Sequence, residues 1–488
     1  MAWTKVSADK MVRLLGDLPA GVAAYSGLAA RVRRLVGEGR LTDEHQLPSE
    51  RELARSLGAS RTTVTRAYAE LVDTGYAQAR QGSGTVVRVP GNSRGALGGL
   101  VAVHDAAAGT IDLTCAAPAA VPQAHEAIAR AGAQMPAQLR GSGYYPEGLP
   151  ELRELVAARY SQRGLPTSAD QVLVTSGALA GLAIVAQLLV SPGTRVLTED
   201  PTYPNAIATL RGAHGRIVTH PMDADGWDLP TLESSLRRAT PALAVLMPDF
   251  HNPTGALMDE PTRERLAAAL ARAGTTAVID ESSAELALDP AAQPLPRPFA
   301  VFAAAGQDVI TVGSASKSLW GGFRIGWVRA PRAMLPALLR ARTTRDLGSS
   351  VFDQLAVAHL LGDLGPALAE RRAGLRRTRD ALAGALRIDL PDWQATVPSG
   401  GLSLWCRLPR PYGPALVQAA EPAGVLLVAG GRFGAGGGLA GHLRLPFTVD
   451  ASTAVEAVRR IATADAQVRG GAGATRRDSA GQRSPLIA

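Results

Sequence analysis

The sequence has 488 residues, of which 46% are apolar and 19% are charged. This length and composition predict a folded protein of about two to four domains and exclude a disordered chain. The formal net charge of +8 permits an anionic partner without identifying one.

The cysteines and the apolar runs indicate in which compartment the protein functions. Cys115 and Cys406 lie far apart, which excludes a disulfide framework and a cysteine metal site and suits a reducing cytosol. The N-terminus lacks the profile of a signal peptide, and the longest apolar run, 178–190, is too short to span a bilayer. We therefore expect a cytoplasmic protein that has no membrane contact and no metal site.

The first part of the chain carries the pattern of three short helices. Apolar residues recur at helical spacing between Leu28 and Val36. Ser49 and Glu52 form a capping box for a second helix, which Gly58 is predicted to stop. Ser60 is predicted to cap the third helix. Its apolar stripe is Val64, Ala67, Tyr68, Leu71 and Val72, and Gly75 is expected to close it.

Two short helices joined by a tight turn are typical of a helix-turn-helix, whose second helix enters the major groove of DNA. Hydrogen-bond donors face away from the apolar stripe of that helix, where a groove would lie; they include Arg61, Thr62, Thr63 and Arg66. The segments 76–80 and 85–89 then flank a glycine-rich tip, which predicts a hairpin.

This run resembles the winged helix-turn-helix of GntR-type regulators. Their pattern, L-P-S-x-R-x-L-A followed by S-R-x-T-V-x-x-A-Y, is present between Leu47 and Tyr76, and R-Q-G-S-G-T at 80–85 matches the wing. The resemblance implies a double-stranded DNA partner and a DNA-binding domain over 1–89, whose net charge is about +4 from 13 basic and 9 acidic residues in 1–90. The DNA-binding residues it implies are Ser49, Arg51, Arg61, Thr62, Thr63, Arg66 and Gly82.

Residues 90–108 are rich in glycine, alanine and polar residues and are predicted to be a linker. Strands and helices alternate over 109–463, which is typical of an α/β domain, and a smaller domain is expected after about residue 330. The Gly-, Arg- and Ser-rich end, 464–488, is expected to be disordered.

One lysine stands out in the second domain. Among 51 basic residues the lysines are Lys5, Lys10 and Lys317, and arginine replaces lysine in most roles except imine formation. Lys317 follows a buried strand, so covalent chemistry with an aldehyde is indicated. The run S-x-S-K-x-x-x-x-x-x-R resembles the attachment loop for pyridoxal phosphate (PLP) in fold-type I aminotransferases. The resemblance implies that Lys317 holds PLP as a Schiff base while Ser314 and Arg324 bind its phosphate.

Other segments match that family in its order along the chain. A strand ending at Thr175 leads to the small-residue turn Ser176, Gly177 and Ala178, whose helix N-terminus suits a phosphate. The resemblance implies that Tyr203 stacks on the pyridine ring, that Asn252 of N-P-T-G hydrogen-bonds O3′, and that Asp280 pairs with the pyridine nitrogen. It also implies that Arg444 grips a substrate carboxylate and that Tyr144, chosen over Tyr145, reaches the phosphate in the partner subunit.

Together, the two parts resemble the MocR subfamily of bacterial transcriptional regulators over about residues 24–462. The resemblance implies an α/β fold class: a winged helix-turn-helix plus an aminotransferase of fold type I with a large α/β and a smaller α+β domain. It also implies a homodimer with PLP or an amino compound as effector. Ser282 and Ser283 depart from the pattern, because most relatives have a tyrosine there that hydrogen-bonds O3′ and lowers the imine pKa. An active aminotransferase with a DNA-binding appendage remains the alternative, and loss of the cofactor is disfavoured while Lys317, Asp280 and Arg324 are present.

Overall fold

The structure is a computed structural model of the chain. It describes residues 4–16, 24–37, 41, 45–73, 76–80, 84–87, 109–222, 226–290, 294–435 and 438–477. Within those residues, no helix is both long enough and apolar enough to cross a membrane.

The N-terminal module is a small α/β unit with its own core. Its elements are β1 (Thr4–Lys5), α1 (Ala8–Leu15), α2 (Ala24–Gly37), β2 (His45–Gln46), α3 (Glu50–Leu57), α4 (Arg61–Asp73), β3 (Ala77–Arg80) and β4 (Gly84–Val87). Among the described residues the strands form a sheet in the order β1-β2-β4-β3, and β3 and β4 are an antiparallel hairpin as predicted. The helices bury one face each around Leu28, Leu53 and Leu71.

Local capping explains why α3 and α4 begin and end where they do. The Ser49 hydroxyl accepts from the amide of Glu52 at 3.3 Å, and Glu52 accepts from the amide of Ser49 at 3.1 Å, which confirms the capping box. Gly58 ends α3 in the left-handed region at φ 63°. Ser60 caps α4 by accepting from the amide of Thr63 at 3.1 Å. The prediction for Val72 is wrong, because it lies at the end of α4 with 38% of its surface exposed. Gly75 lies outside the described residues.

The second part of the chain begins with β5 (Ile111–Asp112) and continues into a large α/β domain. Its elements are α5 (Ala124–Gln138), α6 (Pro150–Gln162), β6 (Val172–Thr175), α7 (Ala178–Leu189), β7 (Arg195–Asp200), α8 (Pro204–Gly212), β8 (Arg216–Pro221), α9 (Leu229–Ala239), β9 (Leu243–Leu246), α10 (Glu260–Arg272), β10 (Thr276–Asp280), β11 (Val309–Ser314), β12 (Gly326–Arg329), α11 (Leu335–Thr343) and α12 (Val351–Gly362).

The described strands of this domain form a seven-stranded sheet in the order β6-β12-β11-β10-β9-β7-β8. Its strands run parallel except β12, which is antiparallel to both β11 and β6. The central strands β9, β10 and β11 are rich in buried Val, Ile, Leu and Ala, as expected where helices cover both faces. The loops that follow their carboxyl ends therefore meet at one edge, which is where α/β domains bind ligands.

The smaller domain completes the chain. Its elements are α13 (Leu364–Asp389), β13 (Gln394–Thr396), β14 (Ser403–Arg407), α14 (Gly413–Ala420), β15 (Val425–Leu426), β16 (Val428–Ala429), β17 (His442–Pro446) and α15 (Ala451–Arg477). Among the described residues, the strands form an antiparallel sheet in the order β13-β14-β17-β16. The first predicted strand, β5, does not join the large sheet but pairs with β15 of this domain.

The predicted disordered tail begins later than residue 464. Helix α15 continues to Arg477, and Ala464 is fully buried. Asp465 accepts from the Tyr412 hydroxyl at 2.5 Å, and Arg469 forms an ion pair with Asp392 at 2.7 Å. Residues 464–469 are therefore packed as part of α15 and not disordered, because contacts with distant residues hold them. For the rest of the tail the expected disorder stays a prediction. Residues 478–488 lie outside the described part.

Candidate functional site

The residues expected to bind a cofactor follow the carboxyl ends of neighbouring strands of the large sheet. Asp280 ends β10 and Asn252 follows β9. Tyr203 follows β7, Ser176 follows β6, and Lys317 lies in the loop after β11. Residues far apart in the sequence thus share one edge of the domain.

Lys317 lies half-buried in the loop after β11. Its Nζ donates a hydrogen bond to the carbonyl oxygen of Ala116 at 2.8 Å. Burial lowers the pKa of Lys317, and the Arg444 and Arg324 guanidinium groups lower it further, while the nearby Cys115 and Asp280 oppose them. A lysine whose pKa is lowered has a larger fraction of the neutral amine, which is the form that reacts with an aldehyde.

Asp280 and Ser282 form a short turn at the end of β10. The amide of Ser282 donates to Asp280 Oδ1 at 2.8 Å. Burial raises the pKa of Asp280, whereas the hydrogen bond from Ser282 and the charge of Lys317 lower it. Ser282 therefore orients the carboxylate through its backbone, and Ser283 is 9% exposed on the other side of the turn.

The turn between β6 and α7 forms a cradle of backbone atoms. Gly177 has φ 97°, which L side chains rarely adopt, and a Cβ there would lie 3.0 Å from a guanidinium nitrogen of Arg324. Arg324, itself in the left-handed region at φ 52°, donates from Nη2 to the Ser176 carbonyl at 2.9 Å. Ala178 begins α7, and the first turn of a helix has amides without intrahelical partners. A positive helix end and a guanidinium group therefore converge on one small space, which suits a phosphate.

Two serine hydroxyls border this cradle. Ser314 Oγ accepts from the amide of Ser316 at 3.1 Å and donates to the Ile325 carbonyl at 3.4 Å. Ser176 Oγ lies 3.2 Å from Ser349 Oγ. Ser349 precedes α12 and was not predicted from the sequence, since no local pattern places it beside the turn after β6.

Tyr203 and Asn252 stand on adjacent sides of the same edge. The Tyr203 hydroxyl accepts from Asn205 Nδ2 at 2.9 Å, and burial raises the pKa of Tyr203. Asn252 Oδ1 accepts from Arg444 Nη1 at 3.3 Å. Asn252 therefore connects the cofactor edge to the guanidinium group expected to bind a carboxylate.

Arg444 extends from β17 of the smaller domain into this site. Its Nη2 donates to the Thr114 carbonyl at 2.6 Å, and its guanidinium carbon lies 4.8 Å from the centre of the Phe433 ring. It is 6% exposed, and its Nε has no hydrogen-bond partner among the described residues. Burial lowers the pKa of Arg444 to about 10. A buried guanidinium with an unused donor is suited to an anionic ligand group.

Sequence analysis missed the segment 114–116 on the opposite side of the site. Its three consecutive carbonyl oxygens accept from Arg444, Thr448 and Lys317 at 2.6, 3.4 and 2.8 Å. The residues lie 330, 333 and 201 positions from their donors in the chain, and no local pattern could have indicated the contacts.

Tyr144 does not enter this site within its own chain. It is 65% exposed, while the hydroxyl of the half-buried Tyr145 donates to Gln138 at 3.0 Å. Its expected role toward a partner subunit therefore stays a prediction. In the described part of the chain, no group of three His, Cys, Asp or Glu side chains could hold a metal ion.

The expected DNA-reading residues of the N-terminal module point to solvent. Arg51, Arg61 and Thr62 are exposed. Glu50 lies beneath them, since its carboxylate is 3.8 Å from Arg61 Nε and accepts from Thr65 at 2.6 Å. The face therefore presents exposed guanidinium groups to solvent, where a negatively charged DNA backbone could bind.

The other residues expected to bind DNA are partly covered or already contact neighbouring residues. Ser49 is exposed but engaged in the capping box, and Thr63 is partly covered. The guanidinium of Arg66 lies 4.1 Å from the centre of the Tyr25 ring. Gly82 lies outside the described residues.

Comparison with known proteins agrees with this two-part architecture. Residues 113–461 match "Aminotransferase class I and II", and residues 24–87 match "Bacterial regulatory proteins, gntR family". The structure of LysN, an α-aminoadipate aminotransferase of Thermus thermophilus complexed with N-(5′-phosphopyridoxyl)-L-leucine, aligns with a TM-score of 0.68 and 31% identity over 74% of this chain and 94% of that one.

Transcriptional regulators match over more than three quarters of the chain. The HTH-type transcriptional regulator TauR of Rhodobacter capsulatus is 29% identical over 78% of this chain and 84% of its own length. A probable rhizopine catabolism regulatory protein, MocR of Rhizobium meliloti, is 27% identical over 78% of this chain and 80% of its own length.

The chain belongs to the aminotransferase class I and II family. More particularly, it is a GntR-type DNA-binding regulator fused to an aminotransferase-like domain, the architecture of the MocR subfamily.

The cofactor of this fold is PLP, and the residues present fit it. Gly177 leaves room against Arg324 for a phosphate, Lys317 supplies an amine with a lowered pKa, and Asp280 supplies a carboxylate at the sheet edge. The unpartnered Nε of Arg444 adds a donor for an attached carboxylate.

Proposed function

We propose that this protein is a transcriptional regulator that holds PLP at Lys317 and responds to PLP or to an amino compound carrying a carboxylate. The observation that carries the proposal is the pairing, in one chain, of an exposed helix-turn-helix face with a half-buried lysine and a buried arginine whose Nε has no hydrogen-bond partner among the described residues. It would act at the bacterial nucleoid as a homodimer, in which Tyr144 of each chain reaches the other chain's cofactor.

Different residues of the chain would bind the phosphate and the pyridine ring of the cofactor. The cradle at Ser176, Gly177 and Ala178, with Ser314 and Arg324, would bind the phosphate. Asp280, oriented by the Ser282 amide, would accept a hydrogen bond from the protonated pyridine nitrogen and so keep that nitrogen charged. Bound PLP supplies an aldehyde that bonds to amines and a ring that withdraws electrons.

Other residues would orient a ligand on the cofactor. Tyr203 would stack on the ring and Asn252 would donate to its O3′ oxygen. Arg444 would bind a carboxylate in a bidentate manner, which its planar fork allows. When its amine is neutral and not bonded to the cofactor, Lys317 could take up or return a proton beside the cofactor.

DNA binding is tested with the Arg61→Ala variant and a duplex selected from a random pool by the wild-type protein. We expect the binding free energy between Arg61→Ala and this duplex to weaken by about 1–3 kcal/mol if Arg61 reads a base, because a bidentate contact is lost. Wild-type affinity should also fall steeply with salt, since phosphate contacts release counterions. Fluorescence anisotropy at several salt concentrations measures both.

Arg130→Ala is the matched control for this test. Arg130 lies on α5 of the large domain with 62% of its side chain exposed, against 73% for Arg61, so both variants lose one exposed positive charge. Equal weakening by both variants would mean that only net charge matters. Unchanged binding by Arg61→Ala would remove this residue from the interface.

An active aminotransferase is the second candidate, and the 31% identity and shared fold with LysN favour it. We expect poor turnover instead, because the hydroxyl of Ser282 or Ser283 is too short to replace a tyrosine at O3′ without a bridging water. Steady-state transamination with common amino acids and 2-oxoglutarate measures this. A rate within the usual enzyme range of roughly 1–1000 per second would decide for the enzyme.

A further inference from the structure

The DNA-reading module touches the smaller domain of its own chain. Helix α2 packs beside α14, and the Tyr76 hydroxyl donates to Gln418 Oε1 at 2.8 Å. Tyr76 lies just after α4 and just before β3, so the contact holds the base of both the reading helix and the wing.

This contact leaves one polar group unsatisfied. The Nε2 atom of Gln418 is buried and has no hydrogen-bond partner among the described residues. A buried donor without a partner costs free energy, so the docked and released arrangements lie closer in energy than a fully bonded contact would allow. A small change in α14 can therefore shift the balance between them.

The docked helix is connected by backbone hydrogen bonds to the start of the large domain. Strand β15 follows α14 and runs parallel to β5, with Val425 opposite Ile111. The amides of Ile111 and Leu113 donate to the carbonyls of Gly424 and Leu426, each at 2.9 Å. Any displacement of β5 is therefore transmitted to the end of α14.

Strand β5 in turn leads directly into the segment 114–116, which the ligand-binding cations hold. Arg444 donates to the Thr114 carbonyl at 2.6 Å and Lys317 to the Ala116 carbonyl at 2.8 Å. The Thr114 carbonyl thus engages one of the two N–H groups of Nη2, and Asn252 Oδ1 engages Nη1 at 3.3 Å. A carboxylate that binds across the two Nη atoms therefore competes with Thr114 for Arg444.

We propose that the Thr114 carbonyl occupies the place of a ligand carboxylate on Arg444, and that its displacement moves β5, β15 and α14 and releases the reading module at Tyr76 and Gln418. This inference rests on the proposed function, because it assigns the regulation of the same site. Through the contact of Tyr76 with Gln418, the DNA-binding surface would respond to an amino-acid ligand and not to an amine that lacks a carboxylate.

The test uses two reduced cofactor adducts that differ only in a carboxylate. N-(5′-phosphopyridoxyl)-L-leucine carries the carboxylate, and N-(5′-phosphopyridoxyl)-3-methylbutylamine lacks it. Each is bound to the full-length protein, and hydrogen exchange is followed by mass spectrometry. We expect the leucine adduct, and not the amine adduct, to speed exchange in peptides covering 111–113 and 76–80 by roughly tenfold, a typical allosteric coupling.

Variants at the contact between Tyr76 and Gln418 test the release of the N-terminal module separately from the displacement of β5. In Tyr76→Phe and in Gln418→Met, exchange at 76–80 should be fast with either adduct, while the response at 111–113 to the leucine adduct remains. Tyr412→Phe is the matched control, because it removes a hydroxyl that faces Asp465 on α15, and both responses should persist.

The outcomes distinguish this inference from the proposed function. Equal exchange with the two adducts, or a response at 111–113 that leaves 76–80 unchanged in the wild type, overturns the inference alone. If neither adduct nor PLP binds in a calorimetric titration, the cofactor proposal fails and the inference fails with it.

Discussion

We expect Lys317→Ala to lose the visible absorption band that the wild-type protein shows with PLP. The band requires a covalent bond between an amine and the cofactor aldehyde, and Lys317 is the lysine at the sheet edge beside Asp280. After borohydride reduction and digestion, a phosphopyridoxyl mass should be found on Lys317 in the wild type and be absent from the variant. Absorption spectra and peptide mass spectrometry make the measurement.

The low lysine content makes this experiment selective. The remaining lysines are Lys5 and Lys10, both near the N-terminus, so Lys5→Ala with Lys10→Ala is the matched control and should keep the band. A wild-type protein supplied with PLP that carries no adduct at any lysine would refute the cofactor proposal. An adduct on Lys5 or Lys10 alone would show a surface reaction instead.

We expect Arg263→Ala to lower the free energy of unfolding of the large domain by about 3–5 kcal/mol, because it leaves a buried charge without its partner. Arg263 Nη2 lies 2.7 Å from Asp249 Oδ1, and both side chains are fully buried. Arg263 also donates to the carbonyls of Met258 and Arg297 at 2.9 and 3.0 Å. Denaturant titration followed by tryptophan fluorescence measures the loss.

The same helix supplies the control. Arg265 pairs with Glu233 at 2.9 Å but keeps 53% of its side chain exposed, so Arg265→Ala should cost less than about 1 kcal/mol. Replacing both buried partners, Arg263→Met with Asp249→Leu, should recover much of the stability because no charge is then left unpaired. If the double variant is as unstable as Arg263→Ala, packing around Arg263 and not its charge pairing would be responsible.

Much of the architecture could be predicted because its signals are local. The capping box, the glycine stop and the buried strands each lie within a few residues, and the structure confirms α3, α4, the strand that ends at Thr175 and the strand before Lys317. Ser176, Asp280 and Lys317 lie at or just after the carboxyl ends of parallel strands, and those ends share one edge.

Local patterns were wrong where distant contacts dominate. The composition after residue 464 indicated disorder, yet 464–469 are helical because Tyr412 and Asp392 bind the side chains of Asp465 and Arg469. Val72 was expected to be buried from its helical spacing, yet it lies on the exposed side at the end of α4. Strand β5 was assigned to the α/β pattern, whereas it pairs with a strand more than three hundred residues later.

The sequence by itself therefore determined the two kinds of domain and pointed to the lysine that we propose holds the cofactor, since motifs and caps act over short stretches of chain. Tertiary structure alone decided that the carbonyls at 114–116 face Lys317 and Arg444, and that Tyr76 meets Gln418. The physical reason is that hydrogen bonds between residues hundreds of positions apart depend on how whole sheets and helices pack. No local sequence pattern predicts such contacts.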